Sequence, residues 1–244
     1  MAIQIPSRIT FEGSDKVRKW GDAARLRREV EAMTFVQRET SVPVPTVLEV
    51  YIDDQYDEDK CWILMERLPG SQLGTAWPEM DEDARSETIR QLRSYLEQIH
   101  HLRPAGAGVI GSVSGGAAFD HRLSNMHTCG PFASVADFHD FLVAPVKQSP
   151  RPGTFAKYRT RFPDTYEIRF AHADLSWENI LVDASTGNIT GILDWEMAGY
   201  WPEWWEYRKA LFGSRSQPWW IQVLKQVMTE YSRETEVDMD VEMF

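Results

Sequence analysis

Residues Phe170–Asp183 read FAHADLSWENILVD. His172, Asp174 and Asn179 stand there among apolar residues, and the stretch runs on into ASTGNITGILDW at 184–195. Burying such polar groups without partners costs a few kcal/mol each. They therefore pair internally or face a ligand. The segment that follows has the pattern of strand, turn and strand, with DASTGN as the turn. Folding back on that turn puts Asn179 and Asp194 at the same open end of neighbouring strands, with Asp174 on the approach. Asp and Asn oxygens are hard ligands suited to Mg²⁺, which binds through one or two carboxylates plus phosphate oxygens. Asp174 is placed to accept a proton from a substrate hydroxyl. These are the parts that phosphoryl transfer needs: charge neutralisation, an aligned nucleophile and a group that receives its proton. The plainer alternative is that the trio only caps and turns a hairpin.

Upstream, RITFEG and KVRKW read as two short strands joined at Gly13, and residues 23–39 as a helix with Leu26, Val30, Met33 and Val36 on one face. Pro43 and Pro45 end helical structure before the β-branched run VLEVYI. DDQYDEDK reads as a polar loop, and CWILMERL as an apolar strand closed by Pro69 and Gly70. Helices come next. Asp81 is a cap for a stripe of Ile89, Leu92, Leu96, Ile99 and Leu102, and Ser134 caps SVADFHDFLVAPV. Residues 103–131 read as loop, 148–165 as irregular, and the acidic ETEVDMDVEMF end as frayed. The expectation is an α+β chain of two lobes: a small strand-rich one at 1–68 and a larger, mainly helical one at 69–244.

The chain has 244 residues, 43% hydrophobic and 26% charged, enough for an ordinary core. A net charge of −11 argues against nucleic acid as a partner and tilts slightly toward cationic small molecules. No apolar run approaches the roughly 20 residues of a membrane span. Cys61 and Cys129 are far apart, and the opening MAIQIPSRITFEG lacks a signal pattern, so a cytoplasmic location is expected. Adjacent His100 and His101 point about 100° apart on a helix and would chelate poorly. His121 and His127 lack a cysteine set. The Trp cluster at 201, 204 and 205 is expected as core, with stacking on a substrate as the alternative. Glu203 and Glu206 either bind a cationic substrate or anchor their segment.

HADLSWEN followed by GILDWE resembles the catalytic segment of the aminoglycoside phosphotransferase and choline kinase group, within the protein-kinase-like superfamily. The Asp-Trp-Glu with its Trp/Tyr-rich continuation, GPFASVADFHDFL and TSVPVPTVLEV are most similar to the fungal-type branch of that group. The resemblance covers about Lys19 to Leu211. It implies a bilobal kinase-like fold and ATP- and Mg²⁺-dependent transfer of a γ-phosphate to a small-molecule hydroxyl. By the same resemblance Asp174 is the catalytic base or orienting group, His172 braces its loop, and Asn179 and Asp194 hold Mg²⁺. Arg18-Lys19-Trp20-Gly21 matches the strand whose lysine holds nucleotide phosphates, and Glu29 is the helix partner of Lys19, with Glu31 as its competitor. CWILMERLPG resembles the adenine-holding hinge, where the Glu66 carbonyl and Leu68 amide would bind the base and Met65 would flank it. The chain departs from the family at its N-terminal lobe, which is shortened and carries no G-x-G-x-x-G before Lys19. That departure keeps a second expectation open: a catalytically impaired nucleotide- or metabolite-binding protein on the same scaffold. Acceptor identity and oligomeric state are not legible.

Overall fold

The computed structural model describes residues 8–53, 60–104, 109–123, 128–151, 153–213 and 217–244. Residues 54–59 of the expected polar loop at 53–60, and His127, lie outside them. The chain forms two compact units, one of residues 1–91 and 177–196 and one of residues 92–176 and 197–244.

The first unit opens with strands β1 (Ile9–Glu12) and β2 (Lys16–Trp20), then helix α1 (Ala23–Glu39), β3 (Val47–Tyr51) and β4 (Trp62–Glu66). These strands make an antiparallel sheet in the order β1-β2-β4-β3. The helix starts where Asp22 accepts hydrogen bonds from the Ala24 and Arg25 amides, at 3.0 and 3.1 Å. Its apolar face, with Leu26, Met33 and Val36, is buried, and the helix packs on β3 and β4. A second sheet joins β5 (Ser71–Gln72) to the hairpin of β9 (Ile180–Val182) and β10 (Ile189–Ile192), in the order β10-β9-β5. Short helix α2 (Leu73–Ala76) follows β5, and α3 (Glu82–His100) begins with Asp81 accepting from the Ala84 amide at 2.8 Å. The first half of α3 packs on the hairpin turn. Gly187 there has φ +74°, and a Cβ at that position would come within 1.9 Å of the Ala84 carbonyl oxygen. Only glycine satisfies both conditions.

The second unit contains β6 (Ala118–Phe119), β7 (Thr128–Cys129), α4 (Val135–Leu142), α5 (Thr154–Arg159) and β8 (Ile168–Ala171). After the hairpin come β11 (Gly199–Pro202), α6 (Trp205–Phe212), α7 (Pro218–Val227) and α8 (Ser232–Val241). Its core gathers Phe138, Phe162, Trp201, Trp204 and Trp205, so the Trp cluster is packing. Buried His139 sits within it. Its Nδ1 donates to Asp164 at 2.9 Å, while its Nε2 accepts from the Trp204 indole at 3.3 Å.

Four expectations are corrected. Gly199–Pro202 is a strand, paired antiparallel with Ile168–Ala171; neither carries a strand signal, because each is only four residues long and FAHAD and GYWPEWW show no alternation. Residues 118–119 and 128–129 pair within the expected loop. Thr154–Arg159 is helical rather than irregular. The acidic C-terminal segment is a docked helix: Asp238 is fully buried, 2.7 Å from Arg208 and 2.8 Å from Arg122. Buried Lys209 and Asp120 pair at 2.9 Å beside them. No helix among the described residues is long and apolar enough to cross a membrane.

Removing one member of a buried ion pair leaves the other uncompensated, which costs about 3–5 kcal/mol. Asp238→Ala is therefore expected to destabilise the protein by that amount in urea unfolding. Asp240→Ala, on the same helix but paired only loosely with Arg161 at 3.7 Å, is expected to change stability by less than about 0.5 kcal/mol. Equal effects from the two would mean that the helix is not docked through Asp238.

Candidate active site

In the first unit, β2 carries Lys19 into a ring of acids. Its Nζ lies 2.7 Å from Glu29 Oε2 on α1, 2.8 Å from Asp194 Oδ1 and 3.5 Å from Glu196 Oε2. Glu29 and Glu196 are buried, and Asp194 is half-buried. Burial disfavours the ammonium, but the three carboxylates outweigh it and push the Lys19 pKa up, so the lysine stays charged. Burial pushes the Glu29 carboxyl up, with Lys19 pulling the other way. Of the two helix acids considered for this lysine, Glu29 makes the contact.

The hairpin register explains how the far end of the chain reaches this ring. Ile180 pairs with Ile192, and the Leu193 amide donates to the Asn179 carbonyl at 2.8 Å. Asn179 and Asp194 thus share one end of the hairpin. Asp194 has φ +65°, a left-handed conformation that a side chain adopts at a cost. Carboxylate oxygens of Glu29, Asp194 and Glu196 come within 4.8 Å of one another. This set of hard oxygen donors, with the Asn179 amide at the same hairpin end, fits Mg²⁺ in its chemistry. Glu196 has no expected role in the sequence reading, although Asp-Trp-Glu contains it.

The hinge residues lie at the end of β4. Met65 is buried and pairs across the sheet with Val17. The Glu66 amide donates to the Thr46 carbonyl at 2.9 Å. Leu68 packs on the hairpin so closely that a Cβ on Gly191 would sit 2.6 Å from its Cδ1.

His172 and Asp174 belong to the second unit. The Asp174 amide donates to His172 Nδ1 at 3.1 Å. A backbone N–H only donates, so Nδ1 is the acceptor and a neutral ring carries its proton on Nε2. Between them Ala173 has φ +60°. Glu206, on α6, holds this strained turn: its Oε2 accepts from the His172 amide at 2.6 Å and the Ala173 amide at 3.4 Å. Of the two roles open to Glu206, this contact is the anchoring one. Glu203 likewise serves internally, 3.0 Å from Arg169. Burial raises the Glu206 carboxyl to about 7, against the pull of the two amides.

A small antiparallel sheet bearing a lysine–glutamate pair, with a helical second unit, defines a protein-kinase-like α+β fold. The chain belongs to the phosphotransferase enzyme family (APH), whose family model matches residues 16–240. It is 24% identical over 174 residues to an aminoglycoside 3'-phosphotransferase of Streptomyces ribosidificus, covering 70% of this chain and 59% of that protein. The chain thus spans less than two thirds of that relative's length. Among solved structures it resembles the GDP complex of aminoglycoside 2'-phosphotransferase-IIIa, with TM-score 0.64 at 16% identity over 96% of this chain and 75% of that one. A thermostable mutant of aminoglycoside phosphotransferase APH(4)-Ia gives TM-score 0.63 at 16% identity, covering 96% and 79%.

The Glu206 environment predicts a pH dependence. Its folded value, about 7, lies above the 4.5 of a free carboxyl. Between those values the native state holds a proton that the unfolded chain has lost, so stability falls as pH rises. That displacement corresponds to about 3 kcal/mol. Urea unfolding between pH ~4 and ~8 is expected to show a fall in stability that is smaller in Glu206→Gln than in wild type by about that amount, the raised Glu29 carboxyl contributing equally in both. Parallel curves for the two proteins would exclude this role of Glu206.

Proposed function

We propose that this protein moves the γ-phosphoryl group of ATP to a hydroxyl of a small molecule. The carrying observation is the Lys19 ammonium, 2.7 Å from Glu29 and 2.8 Å from Asp194. A strand lysine steadied by a helix glutamate is what kinases set against nucleotide phosphates. In this reading residues 1–68 form the nucleotide-binding lobe and residues 69–244 the catalytic and acceptor-binding lobe. Lys19 binds phosphate oxygens, the Glu66 carbonyl and Leu68 amide take the adenine edge, and Met65 flanks the ring. Asp174 receives the proton of the acceptor hydroxyl as that oxygen attacks phosphorus. His172 does not exchange that proton; it holds the Asp174 amide. Asn179 and Asp194 hold Mg²⁺, which when bound offsets the charge of the triphosphate. The net charge of −11 favours a cationic acceptor. Cys61 and Cys129 are free and buried, which supports a reducing compartment, the cytoplasm. The Asp-Trp-Glu and the Trp-rich continuation support the fungal-type branch of the family.

One observation favours a second reading, nucleotide or metabolite binding without transfer. The connection from β1 to β2 is residues 13–15 alone, with a single glycine at φ +68°. A turn that short offers few backbone amides to cover a phosphate.

ATP turnover with a panel of hydroxylated metabolites separates the readings. Wild type is expected to give phosphorylated product, and Asp174→Ala to lower the rate by about 10²–10⁴. Thermal stabilisation by ATP and Mg²⁺ should survive in Asp174→Ala and weaken in Lys19→Met. Stabilisation without product across the panel would favour the binding-only reading. Undiminished turnover in Asp174→Ala would remove Asp174 from the mechanism.

A further inference from the structure

The second unit contains a cavity of about 330 Å³ that the proposed chemistry does not use. That is near the lower end of the ~300–1,000 Å³ usual for small-ligand sites. Asp174 does not line it. The second half of α3 supplies Arg93, Glu97 and His100, β8 supplies Arg169, and Glu203 and Glu206 follow β11. Two guanidinium groups face three carboxylates, so the lining carries one surplus negative charge when Glu206 is ionised. His100 does not offset it, because burial and the nearby Arg169 and His101 push its pKa down to about 4.

The cations are already satisfied. Arg93 donates to the Gln226 carbonyl at 2.9 and 2.6 Å, and Arg169 pairs with Glu203 at 3.0 Å. The unspent groups are acceptors. Among the described residues the Glu97 side chain has no hydrogen-bond or ion-pair partner. Glu206, almost fully buried, uses only Oε2 on the loop amides, while Oε1 has no partner. A buried carboxylate oxygen without a donor costs free energy that a bound donor would recover. Tyr207 and Tyr231 also line the cavity and offer aromatic surface to a cation.

We propose that this cavity binds a small organic cation, an alkylguanidinium or alkylammonium, whose N–H groups pair with Glu97 and with Oε1 of Glu206. Such an occupant supplies the missing positive charge and the missing donors together. It also reaches the loop that carries Asp174, because Glu206 joins the cavity to the His172 and Ala173 amides. Holding Glu206 ionised strengthens those two hydrogen bonds, since a charged acceptor binds amides more tightly than a neutral one. The site is therefore an effector site, and it requires no phosphoryl transfer to be detected.

Titration calorimetry of the full chain at about pH 8, where Glu206 is mostly ionised, tests it with n-butylguanidinium chloride as the probe and neutral N-butylurea as its control. Saturable one-to-one binding of the guanidinium is expected, weaker by about tenfold in Glu97→Gln, with little binding of the urea. Glu97 is exposed, so its substitution leaves folding intact even if Glu206→Gln does not. Amide hydrogen exchange at His172 and Ala173 is expected to slow when the probe is bound. Absence of saturable binding, equal binding of urea and guanidinium, or unchanged affinity in Glu97→Gln would each overturn the site. Binding that leaves exchange at His172 and Ala173 unaltered would overturn its link to the loop.

Discussion

A buried ammonium ion must be paired, and Lys19 meets that constraint with acids drawn from two distant parts of the chain. Glu29 comes from α1, while Asp194 and Glu196 lie just past the second strand of the hairpin. None of the three acids is stable in its buried or half-buried place without the lysine, and the lysine is not stable without them. The first sheet, α1 and the hairpin are therefore tied by one electrostatic knot. The left-handed conformation of Asp194 is part of the same arrangement. A non-glycine residue stays there only where its surroundings over-determine it, and the 2.8 Å contact with Lys19 is one such determinant.

The second unit solves a matching problem with the opposite charge. The turn His172-Ala173-Asp174 is also left-handed at its centre, and its amides point inward, where water does not reach them. Glu206 supplies the acceptor, and His172 Nδ1 supplies another. Here the cost falls on the anchor: burial pushes the Glu206 carboxyl up to about 7. Each unit thus accepts an unfavourably placed ionisable group beside a left-handed residue, Asp194 itself in the first unit and Ala173, next to Asp174, in the second.

The parts of this arrangement that follow local rules were legible in the sequence. The helix at 23–39 has an apolar face at helical spacing, so its limits read correctly. The hairpin announces itself through DASTGN, and the shared end of Asn179 and Asp194 follows from strand counting. What the sequence conceals is long-range pairing of short or featureless segments. β8 and β11 hydrogen-bond across nearly thirty intervening residues, and both lie inside runs whose aromatic content suggests core of any kind. The C-terminal acids read as a frayed end because the partners of Asp238, Arg122 and Arg208, are remote in sequence. Glu206 stayed ambiguous for the same reason: a glutamate in WPEWWEY gives no sign that it faces two backbone amides rather than a ligand.

Glu196 shows why a third acid at the lysine matters. With only Glu29 and Asp194, an ion that drew Asp194 away would leave the buried lysine with a single partner, itself pushed toward neutrality by burial. Glu196 stands 3.5 Å from Nζ, close enough to take up part of that attraction and too far to compete with the two shorter contacts meanwhile. At an effective dielectric near 20, a unit charge pair at about 4 Å is worth about 4 kcal/mol, enough to keep the lysine charged when Asp194 is engaged elsewhere. The spacing of two residues between Asp194 and Glu196 lets one short segment set two carboxylates against the lysine, so the charge on Lys19 need not depend on Asp194 alone.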